Sequence, residues 1–284
     1  MKLPSIFKRH IVIQFLLACK LMSKEQLTAF NKGSSAYLNL DDPEPRNTFI
    51  KNEFDPDFFS LAKKFLPEDG IYFDLGANYG LCSFGLLPQR SNAYFHIFEA
   101  NSKLTDIIYK SCNLHPQTKF HINTACVSEE PGFSDFHLEN SQSGQSHVAT
   151  KGESAVKIPN LVLDDYCFDK RVERVDFAKI DLEGHELHAL KGWKNHLASH
   201  LVKTIYLEII PENQARYNLS TIAPLSYLES LGYDLFICKP EDMGKFGDPP
   251  RQFKNASDEL ILSKFKASAY PKNFATDVLA IVPK

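Results

Sequence analysis

The sequence lacks any paired cysteine motif. Its six cysteines are dispersed, with no Cys-x-x-Cys pair, at Cys19, Cys82, Cys112, Cys126, Cys167 and Cys238. Zinc sites and the disulfide frameworks of small secreted domains normally show close, regular cysteine spacing, so the sequence predicts neither. Dispersed cysteines are typical of a protein from a reducing compartment.

The chain also lacks an excess of positive charge and a long apolar run. It has 32 Lys and Arg against 35 Asp and Glu, a formal net charge of −3, which does not favour nucleic acid as a partner. Residues 11–18 follow Lys8-Arg9 as in a leader peptide, but this apolar run is short and contains Gln14. A membrane-spanning helix needs about 20 apolar residues. We therefore predict an N-terminal helix that packs on the domain or makes weak contact with a membrane surface.

Strand-like and helix-like segments alternate along most of the 284 residues. The predicted strands are residues 71–75, 93–98, 120–127, 175–180, 202–210, 233–238 and 276–282. This alternation predicts an α/β fold: a doubly wound, mainly parallel seven-stranded sheet with helices on both faces. We assign residues 1–54 to an N-terminal extension of helix and connector, and residues 55–284 to the α/β domain. Residues 128–160 read as a β-excursion and loop, which suits either a cover over the site or inert surface.

The first of these strands leads into a loop with one acid and two glycines. Phe73-Asp74-Leu75-Gly76-Ala77-Asn78-Tyr79-Gly80 has the spacing Asp-x-Gly-x-x-x-Gly. Glycines at these positions let the backbone turn sharply and approach a ligand. The dinucleotide fingerprint G-x-G-x-x-G is absent, and a carboxylate beside the ligand suits a cationic nucleoside without phosphate, such as S-adenosylmethionine. A strand–helix turn that binds nothing can have the same pattern.

Glu99 ends the next strand along the chain. In a doubly wound sheet such an acid lies at the carboxyl edge of the neighbouring strand, where two ribose hydroxyls can donate to it. The two loops together predict a site for one nucleoside. A non-catalytic adenosine-binding module would need no more than these residues.

A second group of acids, with one histidine, follows the fourth long predicted strand. Asp181, Glu183, His185 and Glu186 crowd one turn at the same edge of the sheet. A helix that begins near His185 disfavours the imidazolium, so a neutral imidazole there can act as a general base. Glu183 and Glu186 equally suit helix capping, and His185 equally suits an ordinary surface position.

The same cluster also has the composition of a divalent metal site. Asp181, Glu183, His185 and Glu208 offer the oxygen and imidazole ligands that suit Mg²⁺ or Mn²⁺. A metal bound there would activate a diol without a protein base, which keeps a metal-assisted enzyme as an alternative.

Four motifs resemble the FkbM-type methyltransferases over about residues 70–210. They are the glycine loop from Phe73 to Gly80, Phe98-Glu99-Ala100, the run from Asn160 to Tyr166, and Lys179-Ile180-Asp181-Leu182-Glu183-Gly184-His185-Glu186. The last string is the most specific, whereas the glycine loop alone is similar to that of any class I methyltransferase. The first 65 residues match no motif of that family.

The resemblance implies methyl transfer from S-adenosylmethionine to a hydroxyl oxygen of a sugar, glycan or secondary metabolite. It implies a methionine end held by Asp74, Gly76, Ala77, Asn78 and Gly80, a ribose held by Glu99, and adenine near Ala125 and Cys126. Asp181 would lie nearest the sulfonium. We expect His185 to be the base, oriented by Asp181 or Glu183, with no metal in this assignment. An enzyme that uses this cofactor is expected in the cytoplasm.

Overall fold

The computed structural model describes residues 6–139, 141–238, 251–255 and 258–283. The helices are α1 Ile6–Ala18, α2 Pro43–Lys51, α3 Pro56–Phe65, α4 Leu81–Arg90, α5 Ser102–Cys112, α6 Leu163–Lys170, α7 Glu186–Lys191, α8 Lys194–Ala198, α9 Pro211–Arg216 and α10 Ala223–Ser230. The strands are β1 Glu25–Phe30, β2 Ser34–Asn39, β3 Ile71–Leu75, β4 Tyr94–Glu99, β5 Lys119–Thr124, β6 Cys126–Val127, β7 Phe133–His137, β8 His147–Val148, β9 Val156–Leu161, β10 Phe177–Ile180, β11 Thr204–Ile209, β12 Asp234–Ile237, β13 Arg251–Asn255, β14 Asp258–Phe265 and β15 Thr276–Ile281.

The central sheet has the order β13-β14-β12-β15-β11-β10-β3-β4-β5. Neighbours from β11 to β5 are parallel, while β15 is antiparallel to both β11 and β12. The predicted doubly wound, mainly parallel α/β sheet is therefore confirmed. Within the described residues it has nine strands where we expected seven, because β13 and β14 extend the β12 edge. Both strands lie in a polar stretch of the sequence, in which we predicted no strand.

The two faces of the sheet pack against separate hydrophobic clusters. Successive residues of a strand point to opposite faces, so Tyr72 joins one cluster and Phe73 joins the other. Tyr72 stacks on Phe177, with ring centroids 6.1 Å apart. Phe73 stacks on Trp193 at 5.2 Å, with ring planes only 10° apart. Because both faces are covered, the central strands read as nearly continuous apolar runs.

The N-terminal extension contains a β-hairpin that we did not predict. The sequence predicted a connector from residue 31, but β1 and β2 pair antiparallel around a turn at Asn31–Gly33. Buried and partly exposed residues alternate along β2, and its Tyr37 N–H donates to Ser111 Oγ in α5 at 2.9 Å. Small polar residues at the start of β2 look like a loop in sequence, yet burial against α4 and α5 makes them a strand. The hairpin ties the extension to the glycine-loop side of the sheet.

No helix in the described ranges is both long and apolar enough to cross a membrane. Helix α1 buries Ile13 and Leu17 and leaves Ile11, Val12 and Phe15 at least half exposed. Its packing on the domain is thus confirmed through one face. Contact of the other face with a membrane surface stays a prediction.

The predicted excursion between the third strand and α6 forms a small sheet of order β6-β9-β7-β8. The third strand was predicted to run continuously over residues 120–127, but it breaks after β5. Cys126 and Val127 instead pair with Asn160 and Leu161 of β9. The break turns the chain out of the central sheet and above its carboxyl edge.

Candidate active site

The carboxyl ends of β3, β4, β10 and β11 open into a cleft of about 920 Å³. The structure brings together eight of the predicted site residues in its wall: Gly76, Asn78, Glu99, Ala125, Cys126, Asp181, Glu183 and His185. Asp74, Ala77 and Gly80 do not line this cleft. Ala77 lines a smaller neighbouring cavity of about 260 Å³, between the glycine loop and β10.

The glycine loop needs its glycines for close packing as well as for its turn. Gly76 has φ +76°, and a β-carbon there would lie 1.9 Å from the carbonyl oxygen of Asp181. Asn78 and Gly80 are also in the left-handed region. The N–H groups of Gly76 and Ala77 both donate to Phe98 O, at 3.0 and 3.1 Å. The loop is thus fixed against the ends of both β4 and β10.

Asp74 lies beneath the loop, and its predicted place in the cleft wall is corrected. It is fully buried, and its Oδ2 accepts a hydrogen bond from Ser83 Oγ of α4 at 2.5 Å, while its Oδ1 has no hydrogen-bond partner. Burial raises the pKa of Asp74. Asp74 is the penultimate residue of β3, so its side chain reaches the interior before the chain turns into the cleft. It links β3 to the first turns of α4.

Glu99 is a carboxyl group of the cleft wall that backbone hydrogen bonds hold in place. It is 7% exposed, and its two oxygens accept backbone hydrogen bonds from Asn78 and Asn101, both at 2.8 Å. Burial raises the pKa of Glu99 to about 7. Each carboxylate oxygen can accept a further hydrogen bond, so the group can hold two hydroxyls, as a ribose requires. Ala125, which follows β5, and Cys126, in β6, continue the same wall.

Three carboxylates converge beside the glycine loop. One oxygen each of Asp181, Glu183 and Glu208 lies within 4.8 Å of the others. Lys179 Nζ donates to Asp181 Oδ2 at 2.9 Å and to Gly76 O at 3.1 Å. The Asp181 charge, followed by burial, raises the pKa of Glu208 well above its ordinary value, and burial raises that of Glu183 to about 8. The predicted metal cluster also contained His185, which is not part of this carboxylate group.

His185 is buried and faces the cleft, so an ordinary surface position is wrong. Its Nε2 lies 3.4 Å from Ser128 Oγ, its Nδ1 has no hydrogen-bond partner, and its ring stacks on His188 at 4.4 Å. Burial, followed by the charge of His188, lowers the pKa of His185 to about 3. The ring is therefore neutral, as predicted. The hydrogen-bond partner is Ser128, whereas we expected Asp181 or Glu183 to orient the ring.

The two flanking glutamates differ in what they do. Glu186 Oε1 accepts the N–H groups of Leu182 and Gly184, both at 3.0 Å, so it fixes the turn that precedes α7. It does not cap the helix, whose N-cap residue His185 makes no side-chain cap hydrogen bond. Glu183 has φ +55° and its Oε2 accepts from Asn213 Nδ2 at 2.6 Å. Its backbone carbonyl accepts from Arg216 at 2.7 Å. Asn213 and Arg216 lie in α9 and also line the cleft, although no sequence motif pointed to them.

The remaining wall comes from the N-terminal extension and the excursion. His10, Pro43, Glu44 and Asn47 line one side, and residues of the excursion between Phe136 and Val148 line another. Two hydrogen bonds connect these two sides. Asp42 Oδ2 accepts from Ser143 N at 3.0 Å, and Asn78 Oδ1 accepts from Ser143 Oγ at 2.8 Å. Of the two alternatives for the excursion, a cover over the site is confirmed and inert surface is wrong. The contribution of α2 was missed, because Pro43-Glu44-Pro45 read as a connector.

Two comparisons of the sequence with known proteins find similar methyltransferases. The methyltransferase FkbM domain model matches residues 74–235. The curated hexuronic acid methyltransferase AglP of Haloferax volcanii is 27% identical over 157 residues, which are 54% of this chain and 61% of AglP.

Solved structures with a similar chain path include two methyltransferases. Precorrin-6y C5,15-methyltransferase from Geobacter metallireducens is 12% identical, with a TM-score of 0.41 over 80% of this chain and 87% of that one. An S-adenosylmethionine-dependent O-methyltransferase from Thermotoga maritima is 10% identical, with a TM-score of 0.40 over 80% and 65%. Both likenesses are weak. The family model, by contrast, covers more than half of the sequence, and the chain belongs to the FkbM methyltransferase family.

Proposed function

We propose that this methyltransferase transfers the methyl group of S-adenosylmethionine to a hydroxyl oxygen of a neutral sugar, glycan or similar polyhydroxylated metabolite. The observation that carries the proposal is the convergence of the glycine loop, Glu99 and Asp181 on one cleft at the carboxyl edge of the sheet. Its volume of about 920 Å³ is near the upper end of the usual 300–1,000 Å³ for ligand sites, so it has room for an acceptor beside the cofactor.

The donor groups of the cleft fit this cofactor. Glu99 suits the ribose hydroxyls, and Ala125 and Cys126 offer a buried, largely apolar wall to adenine. Gly76 and Asn78 lie on the other side of Glu99, where the methionine portion would extend, next to Asp181. When bound, the cofactor supplies an electrophilic methyl group on a sulfonium, and a carboxylate nearby stabilises that positive charge. Asp74, which is buried and does not line the cleft, would support the loop from below.

The charge of the cleft favours a neutral acceptor. Its described lining carries six carboxyl groups, on Glu44, Glu99, Glu139, Asp181, Glu183 and Glu208, against the single guanidinium of Arg216. Arg216 already donates to Glu183 O and to Asn213 Oδ1. AglP is named for a hexuronic acid, which supports a sugar acceptor. An acceptor carboxylate would nevertheless meet repulsion from those carboxyl groups that are ionised. Those that burial keeps protonated would still give it no ion-pair partner in the described lining.

Methyl transfer mainly requires that the protein align the acceptor oxygen with the methyl group. His185 lines the cleft as a neutral imidazole, which can accept a hydrogen bond from an acceptor hydroxyl. A group with a pKa of about 3 holds a proton only briefly, so the proton must pass on to water or to a carboxylate of higher pKa, such as Glu183. In this assignment His185 orients the acceptor hydroxyl and Glu183 is the proton acceptor of the cleft.

Metal-assisted methyl transfer is the second candidate, and the carboxylate cluster favours it. Asp181, Glu183 and Glu208 provide three oxygen ligands with donor atoms within 4.8 Å, which suits a hard divalent cation. Measuring the activity after dialysis against a chelator distinguishes the two candidate mechanisms. Activity that is lost and returns with Mg²⁺ or Mn²⁺ supports the metal, whereas full activity after chelation rejects it.

The proposal is tested by incubating the enzyme and S-adenosylmethionine with a deuterated methyl group in extracts that contain native metabolites. Mass spectrometry should find the label on neutral polyhydroxylated compounds, in an ether that resists mild alkali. Label in an alkali-labile methyl ester of a uronic acid would contradict the neutral acceptor. Label on protein or nucleic acid would contradict the acceptor class altogether.

A further inference from the structure

The main cleft and the smaller cavity between the glycine loop and β10 meet at four residues. Glu44, Asn78, Asp181 and Glu208 line both. Three of the four are acids. The place where the two cavities meet therefore gathers three carboxyl groups at one end of the cleft, opposite the wall formed by Ala125 and Cys126.

Glu44 contributes to this junction from outside the matched family segment. It lies in the first turn of α2, and its Oε2 accepts a hydrogen bond from Asn78 Nδ2 at 3.2 Å. The Asn78 carboxamide also accepts from Ser143, so both of its ends are engaged and Glu44 is held over the glycine loop. Pro43 and Pro45 restrict the backbone on either side of it.

Glu44 also lacks a cationic partner. Asp181 is paired with Lys179 at 2.9 Å, but no Lys, Arg or His in the described ranges comes within ion-pair distance of Glu44. Burial by the surrounding cleft walls, followed by the charge of Asp181, raises the pKa of Glu44 to about 7, although the residue is exposed at the cleft surface in the ligand-free protein. A positive charge placed beside it would relieve this repulsion and restore its ionised form.

The order of residues along the sheet edge identifies which part of the cofactor reaches this point. Ala125 follows β5, Glu99 ends β4 and Gly76 follows β3, and these strands are adjacent. With adenine at the first and ribose at the second, the amino acid portion extends over the third, towards Asn78 and the junction. The amino acid portion carries an ammonium group, which matches an acid without a partner.

We propose that Glu44 binds the α-ammonium group of the methionine portion of S-adenosylmethionine, so that the N-terminal extension completes the cofactor site. This inference rests on the proposed cofactor. It makes α2 part of the binding machinery and adds a cofactor contact that lies 30 residues before the family match begins at residue 74. The hydrogen bond from Asn78 to Glu44 then holds the acid ready before the ligand arrives.

The test compares two ligands that differ in the amino acid portion alone. S-adenosylhomocysteine carries the ammonium group, whereas 5′-methylthioadenosine has the same nucleoside and thioether without it. Isothermal titration of Glu44→Gln should show the dissociation constant of S-adenosylhomocysteine rising about 10- to 100-fold, as expected for loss of a charge-assisted hydrogen bond. The affinity for 5′-methylthioadenosine should be unchanged.

Glu53→Gln is the matched control, because Glu53 is an exposed residue of the same extension and does not line either cavity. It should bind both ligands as the wild type does. If Glu44→Gln weakens both ligands alike, or neither, the assignment of Glu44 is overturned while the cofactor stands. If the wild type binds neither ligand, the proposed cofactor fails and this inference fails with it.

Discussion

The Glu99 carboxylate accepts a hydrogen bond from the backbone N–H of Asn78 at 2.8 Å. This contact joins the end of β4 to the glycine loop after β3, so the two halves of the proposed nucleoside site are fixed to each other. The other oxygen of Glu99 is bound to the N–H of Asn101 at the same distance. A buried acid with these two contacts is held ready for a ligand that donates hydrogen bonds.

Replacing Gly76 by alanine should disrupt this unit. The new β-carbon would lie 1.9 Å from Asp181 O, and φ is +76°. We expect a loss of at least about 2 kcal/mol in the free energy of unfolding, measured by urea denaturation. Gly132→Ala is the control, since φ there is +123° but nothing lies within 4 Å of its β-carbon. Equal losses at both positions would mean that the close approach to Asp181 is unimportant.

Replacing His185 by alanine should slow turnover and leave cofactor binding intact. If the ring orients the acceptor hydroxyl, kcat should fall about 100-fold, within the usual range for loss of a proton-transfer group. The dissociation constant of S-adenosylhomocysteine should stay within about twofold, because the proposed cofactor contacts are made by Glu99 and the glycine loop. An unchanged kcat removes His185 from the mechanism.

The pH profile of the wild-type rate offers a separate check on His185. Burial lowers the pKa of His185 to about 3, so its titration cannot produce an inflection near 6.5. The inflection should come instead from the carboxyl groups, as Glu183 has a pKa of about 8. We expect Glu183→Gln to remove an inflection near pH 8, and His185→Gln to leave it in place. If His185→Gln removed the inflection and Glu183→Gln left it in place, His185 would be the proton acceptor and Glu183 would not.

The ligand-free protein should lose stability as the pH rises from 6.5 to 8. Burial raises the folded-state pKa of Glu99 to about 7 and that of Glu183 to about 8, both above the ordinary 4.5. Their stabilising contribution is therefore complete below pH 4.5 and lost as the pH rises through the folded-state values. His96 and His185, with pKa values lowered to about 3, act in the opposite direction, but only below about pH 6.5.

Urea denaturation at pH 6.5 and pH 8 measures this loss. Glu183→Gln should show a smaller decrease between the two pH values than the wild type. Glu153→Gln is a suitable control, because Glu153 lies outside the cleft and its pKa is lowered to about 2, chiefly by a hydrogen bond from the Thr150 backbone. A decrease of the same size in wild type and Glu183→Gln would show that Glu183 is not protonated in this range.

The sequence predicted the parts of the fold that follow from local pattern. Apolar runs such as Val202–Ile210 read as buried strands because helices cover both faces, and the acids that end these runs marked the carboxyl edge. Glu99, Asp181 and His185 were placed in the cleft on this reasoning, and the structure brings them together. Hydrophobic pattern and strand order were enough for these assignments.

Other features depend on contacts between distant segments, which local pattern does not show. Ser34 and Ser35 read as a loop, yet they begin a strand because α4 and α5 provide a surface for it. Asp74 looked like a ligand group, but whether a strand-end side chain points into the cleft or the interior depends on where the strand ends. Glu44 gave no signal at all, because only the tertiary fold brings α2 over the glycine loop.

A crystal structure of the protein soaked with S-adenosylhomocysteine tests the central claim most directly. The account predicts ribose hydroxyls within about 3 Å of the Glu99 oxygens, adenine against Ala125 and Cys126, and the amino acid portion over Gly76. A nucleoside bound elsewhere, or Glu99 turned away from it, would contradict the proposal that this edge of the sheet is the methyl-donor site.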